Sequence, residues 1–291
     1  MKKSSFRGSN IDPKNFSRSQ LKFYAVLLPL SLIMLLPVIF IIFHAFKTIP
    51  EILAFPPVFI PSSPTLRNFH ILWSIGEETG VPMARYLINT IFVAGISIAG
   101  TLTISILGAY ALSKKNFRLK NTFFKINQAA LMFVPIAVSV PRFMVIVNTG
   151  MTNTWWAHIL PFLVMPVGLF LLKQFVDQIP DALIEAAKID GANDLVVIRR
   201  VVIPLSKPAI ATVAILAFQF AWGNVDASNQ FITNEAMRTF APFINTLAGI
   251  DNPMMAGVVA AGSLMLFVPN LIIFIIMQSQ VMNTMSHSGI K

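Results

Sequence analysis

Catalysis needs side chains that titrate, attack or ligate, and this sequence is short of them. Its 291 residues include 12 Asp or Glu, 4 His and no Cys. Without cysteine there is no thiolate metal site, no disulfide and no cysteine nucleophile. His44, His70, His158 and His287 are scattered, with no metal-ligand spacing and no legible hydrolytic triad. No Gly-x-x-x-x-Gly-Lys-Ser/Thr sequence occurs, so the chain has no P-loop. The expectation is a chain with no catalytic residues, no metal ligands and no cofactor of its own.

The polar residues that remain gather in two places. The first is Gln178–Pro204, which reads as helix, turn, helix. Pro180 suits a first helical position, and Asp181 and Glu185 favour a helix beginning. Ala182, Leu183, Ala186 and Ala187 are helix formers, and Gly191 is the stop in a left-handed conformation. Asn193 or Asp194 caps a second short helix, which Pro204 is expected to end. A connection needed only to reverse the chain would not require an amphipathic helix, a glycine stop and a cap in succession. A partner surface is the better reading.

The second place is the end of an apolar run, where Gln219, Trp222, Asn224 and Asp226 cluster. Polar side chains beside an aromatic ring suit sugar binding, and the cluster is a candidate for a substrate path. It reads equally simply, and more economically, as an aromatic belt where a polar loop begins. Arg142 lies inside another apolar run, where an ionisable residue is a functional hypothesis by default. Alternatively Pro135 and Pro141 shorten that run and leave Arg142 at the interface; the residues leave both readings open. Trp155 and Trp156 read as interfacial anchors.

The elements that must position these residues are membrane helices. Hydrophobic residues make up 55% of the chain and charged ones 12%, against about 25% charged in soluble domains. The mean hydropathy is +0.72. Soluble enzymes, disordered tails and secreted disulfide scaffolds are excluded. Six runs are long and apolar enough to cross a bilayer: 23–46, 86–112, 126–147, 155–172, 205–224 and 253–277. Alternation of strand type is weak, so the expected fold is all-α with six transmembrane helices. Run 23–46 exceeds a signal core and lacks a small-residue cleavage pattern, so it reads as a retained helix. Gly95, Ala99, Gly108 and Ala109, and Ala256, Gly257, Ala260, Ala261 and Gly262, read as positions of close helix packing.

Basic residues set the orientation. Segments 1–22, 113–125 and 173–207 hold six, five and five Lys or Arg, and Lys291 adds one. The opposite connections hold only Lys47, Arg67, Arg85 and Arg238. Seventeen against four places both termini in the cytoplasm. The net charge of +10 therefore reads as topology and attraction to anionic lipids, not nucleic-acid binding. The expected organisation is a segment 1–22, a permease domain 23–278 and a tail 279–291. Loop 173–207 lies inside. Outside, 47–85 is an extended proline-rich loop and 225–252 a folded-over loop with its own contacts.

The hairpin carries a resemblance. Glu185-Ala186-Ala187, Asp190-Gly191-Ala192 and Ile203-Pro204-Leu205-Ser206-Lys207-Pro208 are similar to the EAA loop of ABC-importer permeases. Asn89-Thr90, Gly108-Ala109-Tyr110-Ala111-Leu112, Pro141-Arg142-Phe143, Asn153-Thr154 and Leu160-Pro161 resemble the carbohydrate branch, smaller maltose-permease-like subunit. The resemblance runs from about residue 22 to the end, although Asn283–Lys291 departs from the family's Gly-rich tail. It implies a bacterial inner (plasma) membrane permease for sugars, with Glu185, Ala186, Ala187, Asp190, Gly191, Ala192 and Pro204 in the ATPase-coupling loop. It further implies a second, non-identical permease, two cytoplasmic ATPases that hold ATP and Mg, and an extracytoplasmic sugar-binding protein. A permease for another solute is the alternative. An ion-coupled secondary transporter fits less well, because none of the 12 acids falls inside an apolar run.

Overall fold

The computed structural model describes residues 21–288 apart from Thr79 and Pro135. Among these residues every regular element is helical. The first is α1 (Leu21–Phe46), whose apolar window is unburied while Ala45 near its end is buried against Ala260 and Ala261. Two helices follow in the first polar connection, α2 (Ile49–Leu53) and α3 (Arg67–Glu78). The extended loop expected over 47–85 is thus partly helical. The Glu51 carboxylate organises it, accepting from the Thr48 backbone N–H at 2.9 Å and from Ser62 and Ser63 at 2.7 and 3.1 Å. Those backbone donors, first that of Thr48, hold its carboxyl down at about 2.

The central rod is α4 (Met83–Lys114), 32 residues and about 48 Å long at 1.5 Å per residue. The third apolar run, expected as one helix, is broken into α5 (Lys120–Ala130) and α6 (Ser139–Asn148). Pro141 sits in the first turn of α6, where its missing N–H costs no helical bond. The fourth run is α7 (Trp155–Leu163) and α8 (Pro166–Asp177), bent by 40°. Pro166 cannot donate to the Phe162 carbonyl four residues back. The Thr101 hydroxyl donates to that carbonyl instead, at 2.7 Å, and the Asn127 amide donates to the Pro166 carbonyl at 3.1 Å. Broken helices survive in membranes only where neighbours satisfy the freed backbone in this way.

Next come α9 (Asp181–Ile189), α10 (Asp194–Val197), a π-turn (Ile198–Val202) and α11 (Ile203–Leu205), the last three forming one helical stretch. Pro204 does not end the helix as expected. The chain widens into the π-turn just before the proline, at the turn where an α-ladder would demand its missing N–H. An 87° bend at Ser206 then leads into α12 (Lys207–Trp222). Segment 225–252 contains α13 (Asp226–Phe231), a 3-10 turn (Glu235–Met237) and α14 (Phe240–Ala248). A 3-10 turn (Pro253–Met255) precedes α15 (Ala256–Ser288), which passes the expected tail boundary at 279 without a break. Three of the six runs are therefore continuous helices and two more are bent pairs or cross a bend. The basic segment 1–20 lies outside the described residues.

Packing follows small residues and hydrogen bonds, as expected where lipid removes the hydrophobic drive between helices. A Cβ on Gly108 would meet Leu169 of α8 at 3.0 Å, one on Gly257 would meet Asn68 at 2.7 Å, and one on Gly262 would meet Ile244 at 2.2 Å. Gly95 has open space around it and is not a packing position here.

Candidate functional site

At the Lys-rich end of the bundle, α9 closes with the geometry the sequence suggested. Gly191 has φ +83°. Its N–H bonds to the Lys188 carbonyl and that of Ala192 to the Ala187 carbonyl, at 3.0 and 2.9 Å. These are the two bonds of a Schellman ending. Asn193, not Asp194, caps the next helix, accepting from the Val196 N–H at 2.9 Å.

Asp194 has a different task, invisible to a reading of caps. It accepts from Lys115 at 2.7 Å and from the Tyr110 hydroxyl at 2.9 Å. Lys114 bonds Asp181 at 2.8 Å and also the Ile179 carbonyl, while Ser113 donates to Asp177 at 2.6 Å. The hairpin is thus tied to the end of α4 from both of its helices. The hydrogen bond from Lys114 holds the Asp181 carboxyl below its ordinary range, and the bond from Lys115 followed by that from Tyr110 does the same for Asp194. Lys114 and Lys115 entered the sequence reading only as topology charges. Their adjacency at the foot of an apolar run, facing an acid-rich segment, was the available signal.

Three acids are consumed inward, and two are left. Glu185 and Asp190 are exposed and form no ion pair among the described residues. Around them Leu183, Ile189 and Leu195 are 46%, 86% and 69% exposed. Ala186 is exposed between them, whereas Ala187 and Ala192 are half-buried against the core beneath. Pro204 lies exposed further along the stretch. Bare apolar side chains thus stand around two carboxylates that form no ion pair among the described residues.

The other end of α4 holds the folded 225–252 segment. Tyr86 donates to Glu235 at 3.0 Å, Asn89 donates to the Ala236 and Arg238 carbonyls at 2.9 and 2.8 Å, and the Phe240 N–H donates to Thr90 at 2.8 Å. Asn153, at φ +56°, receives the Thr233 and Asn234 N–H groups at 2.7 and 3.1 Å.

Between the two ends lies a cavity of about 600 Å³. It brings together Arg142, Asn224 and Asp226 of the expected substrate path, but not Gln219 or Trp222. Trp222 is buried, stacks on Phe218 and donates to the Leu266 carbonyl of α15 at 3.0 Å. Gln219 is exposed away from the lining. The helical register explains this: Ala217 and Phe220 share one face of α12, while Phe218 and Trp222 face α15, and Asn224 meets the cavity just past the helix end. Sequence reasoning missed Ser97, Thr101 and Phe220. Ser97, Thr101 and Ser105 form an i, i+4, i+8 polar stripe inside an apolar run, all buried, and that stripe was the signal. Both helix breaks, at Leu131–Val138 and Val164–Met165, open onto this cavity.

A helical bundle with broken spans opening on a mid-bundle cavity that holds Arg142, Asn224 and Asp226 among apolar side chains, and a tethered hairpin at its basic end, defines a multi-pass membrane permease. Residues 100–281 match the family described as binding-protein-dependent transport system inner membrane component, and the chain belongs to that family. It is 32% identical over 259 residues to the sulfoquinovosyl glycerol transport system permease protein SmoH of Agrobacterium fabrum, covering 88% of this chain and 89% of that one. It is also 32% identical to the sn-glycerol-3-phosphate transport system permease protein UgpE of Escherichia coli O1:K1, covering 78% and 82%. Its fold matches a crystal structure of a bacterial ABC transporter involved in the import of the acidic polysaccharide alginate, with a TM-score of 0.76 and 25% identity over 91% of this chain and 98% of that one.

Proposed function

We propose that this chain is one permease subunit of an ATP-driven, binding-protein-dependent sugar importer in the bacterial inner membrane. It forms half of the translocation path, with a second permease as the other half. One of two ATPases docks on the hairpin 181–205 from the cytoplasm, where both termini also lie, and a sugar-binding protein docks on the folded segment 225–252 outside. ATP and Mg are held by the ATPases. The relatives transport a sulfosugar glycerol conjugate and a glycerol phosphate and the structural neighbour an acidic polysaccharide, which supports a sugar-type cargo.

The observation that carries the reading is the hairpin. Asp181 and Asp194 are spent on tethering it to α4, and its exposed face presents Glu185 and Asp190 among bare apolar side chains. Force applied there passes into the 32-residue helix that holds the 235–240 loop at its far end. Closure of the ATPases on ATP would thereby be felt at the cavity and at the binding-protein side.

The test is a pair of variants in the reconstituted complex. A Cβ on Gly191 meets nothing within 4 Å, so Gly191→Val acts only through its positive φ, at a cost of about 1–2 kcal/mol. Glu185→Lys leaves the fold untouched and reverses the charge at the docking face. Both variants are expected to reach the membrane and fold, yet lose ATPase co-purification or binding-protein-stimulated ATP turnover. Normal assembly and normal stimulated turnover in both would remove the hairpin from the mechanism.

A further inference from the structure

We propose that the mid-bundle cavity receives the acidic group of an anionic sugar, and that Arg142 is the residue that binds it. The inference rests on the importer reading above and narrows its cargo.

The first ground is charge. A guanidinium stays protonated in any protein environment, and Arg142 has no carboxylate within ion-pair distance among the described residues. A cation on an apolar helix is costly and is retained only where something matches it. Its side chain lines the cavity, so the match comes from the cavity's contents. A neutral sugar would not repay an unpaired arginine; a carboxylate, phosphate or sulfonate does, by paired charge-assisted hydrogen bonds.

The second ground is independent of Arg142. Ser97 is 1% exposed, lines the same cavity, and its hydroxyl has no hydrogen-bond partner. A serine or threonine in an apolar helix ordinarily bonds back one turn, as Thr90 and Thr103 do to the Tyr86 and Ala99 carbonyls at 2.8 and 2.7 Å. Ser97 leaves that bond unmade. A buried hydroxyl without a partner costs about 1–3 kcal/mol, which a polar guest in the cavity removes.

The remaining lining suits the rest of a sugar. Phe133 and Phe220 are 64% and 56% exposed and offer apolar faces to ring C–H groups. The Asp226 carboxylate accepts from hydroxyls and repels the cargo's acid, which turns that acid toward Arg142. Asn224 spends its carbonyl on the Ala227 N–H at 2.9 Å and keeps its amide donors. Ser97 lies near the middle of α4, and both helix breaks open here. Broken helices at mid-span are where transporters hold substrate.

The experiment uses the full complex with its binding protein in liposomes. It measures ATP-dependent uptake from matched pairs of oligosaccharides and glycosyl glycerols, each neutral compound beside its carboxylate, phosphate or sulfonate counterpart. Wild type is expected to take up acidic members in preference to neutral ones. Arg142→Gln is expected to lower that uptake by about tenfold, with assembly and Glu185-dependent ATPase association unchanged, and Arg142→Lys to recover part of it. Because the chain has no cysteine, Arg142→Cys places one thiol on this subunit, and a non-transported acidic member should slow its alkylation where the neutral partner does not. Unchanged acidic uptake in Arg142→Gln, or preference for the neutral members, overturns the inference and leaves the importer standing. Loss of complex assembly in Arg142→Gln, rescued by Arg142→Lys, also overturns it, since the arginine would then pair with the second permease. Absence of ATP-dependent uptake of every member removes the importer reading and this inference with it.

Discussion

Asp181 and Asp194 carry the hairpin's attachment to α4, and their titration sets when it holds. Each carboxyl is pulled below its ordinary value by a lysine of α4. A depressed carboxyl contributes attachment fully above its unfolded value, and the contribution is lost as pH falls through the lowered, folded value. The amide protection factors of residues 181–205, which take out the pH dependence of intrinsic exchange, are therefore expected to be flat from neutral pH down to about pH 4, and to fall only below it. Asp194→Asn should weaken that acid limb, leaving the share of Asp181, and lower protection at neutral pH as well. A hairpin whose protection instead changes between pH 5 and 8 would show that these pairs do not hold it.

Among the elements, α14 and α15 show what close packing demands. Gly262 lets α15 lie against Ile244 so closely that a Cβ would stand 2.2 Å from its Cδ1 and 2.8 Å from its Cγ1. The obstructing atoms belong to a side chain, so the neighbour yields at a cost and the backbone survives. Gly262→Ala is expected to destabilise by about 1–3 kcal/mol. Adding Ile244→Ala should return part of that loss, because the clash then has no far side. Thermal unfolding of the four purified variants in detergent closes the cycle; strict additivity would mean the two helices do not press on each other at this glycine. The sequence marked Gly262 as a packing residue, but it marked Gly95 identically, and Gly95 faces open space. Which face of a helix a glycine occupies depends on the neighbour, which is not written in its own run.

At the scale of the whole molecule, the basic connections predict one orientation. A reporter fused after Lys291 is expected on the cytoplasmic side, and one inserted near Glu77 outside. Both reporters on one side would break the six-crossing arrangement and with it the assignment of the hairpin to the ATPase side. The helix breaks sharpen this test, because the 126–147 run reaches the cavity as two short helices and not as one continuous rod.

What the sequence determined by itself follows from local and additive physics. Apolar runs, charge asymmetry, the glycine stop and the capping residue are each legible from a few neighbouring side chains. Thus the helical class, the hairpin over 181–205 and the left-handed turn at Gly191 were all readable in the chain. What the tertiary structure decided depends on which surfaces meet. Only the approach of α4 to the hairpin converts Lys114 and Lys115 from topology charges into tethers, and Asp194 from a possible cap into the acceptor of Lys115. The register of α12 against α15 sends Trp222 into the packing and leaves Phe220 and Asn224 on the cavity. The structure divides the expected cluster for a physical reason: residues adjacent in sequence point about 100° apart around a helix, and only a partner helix says which of them is inside.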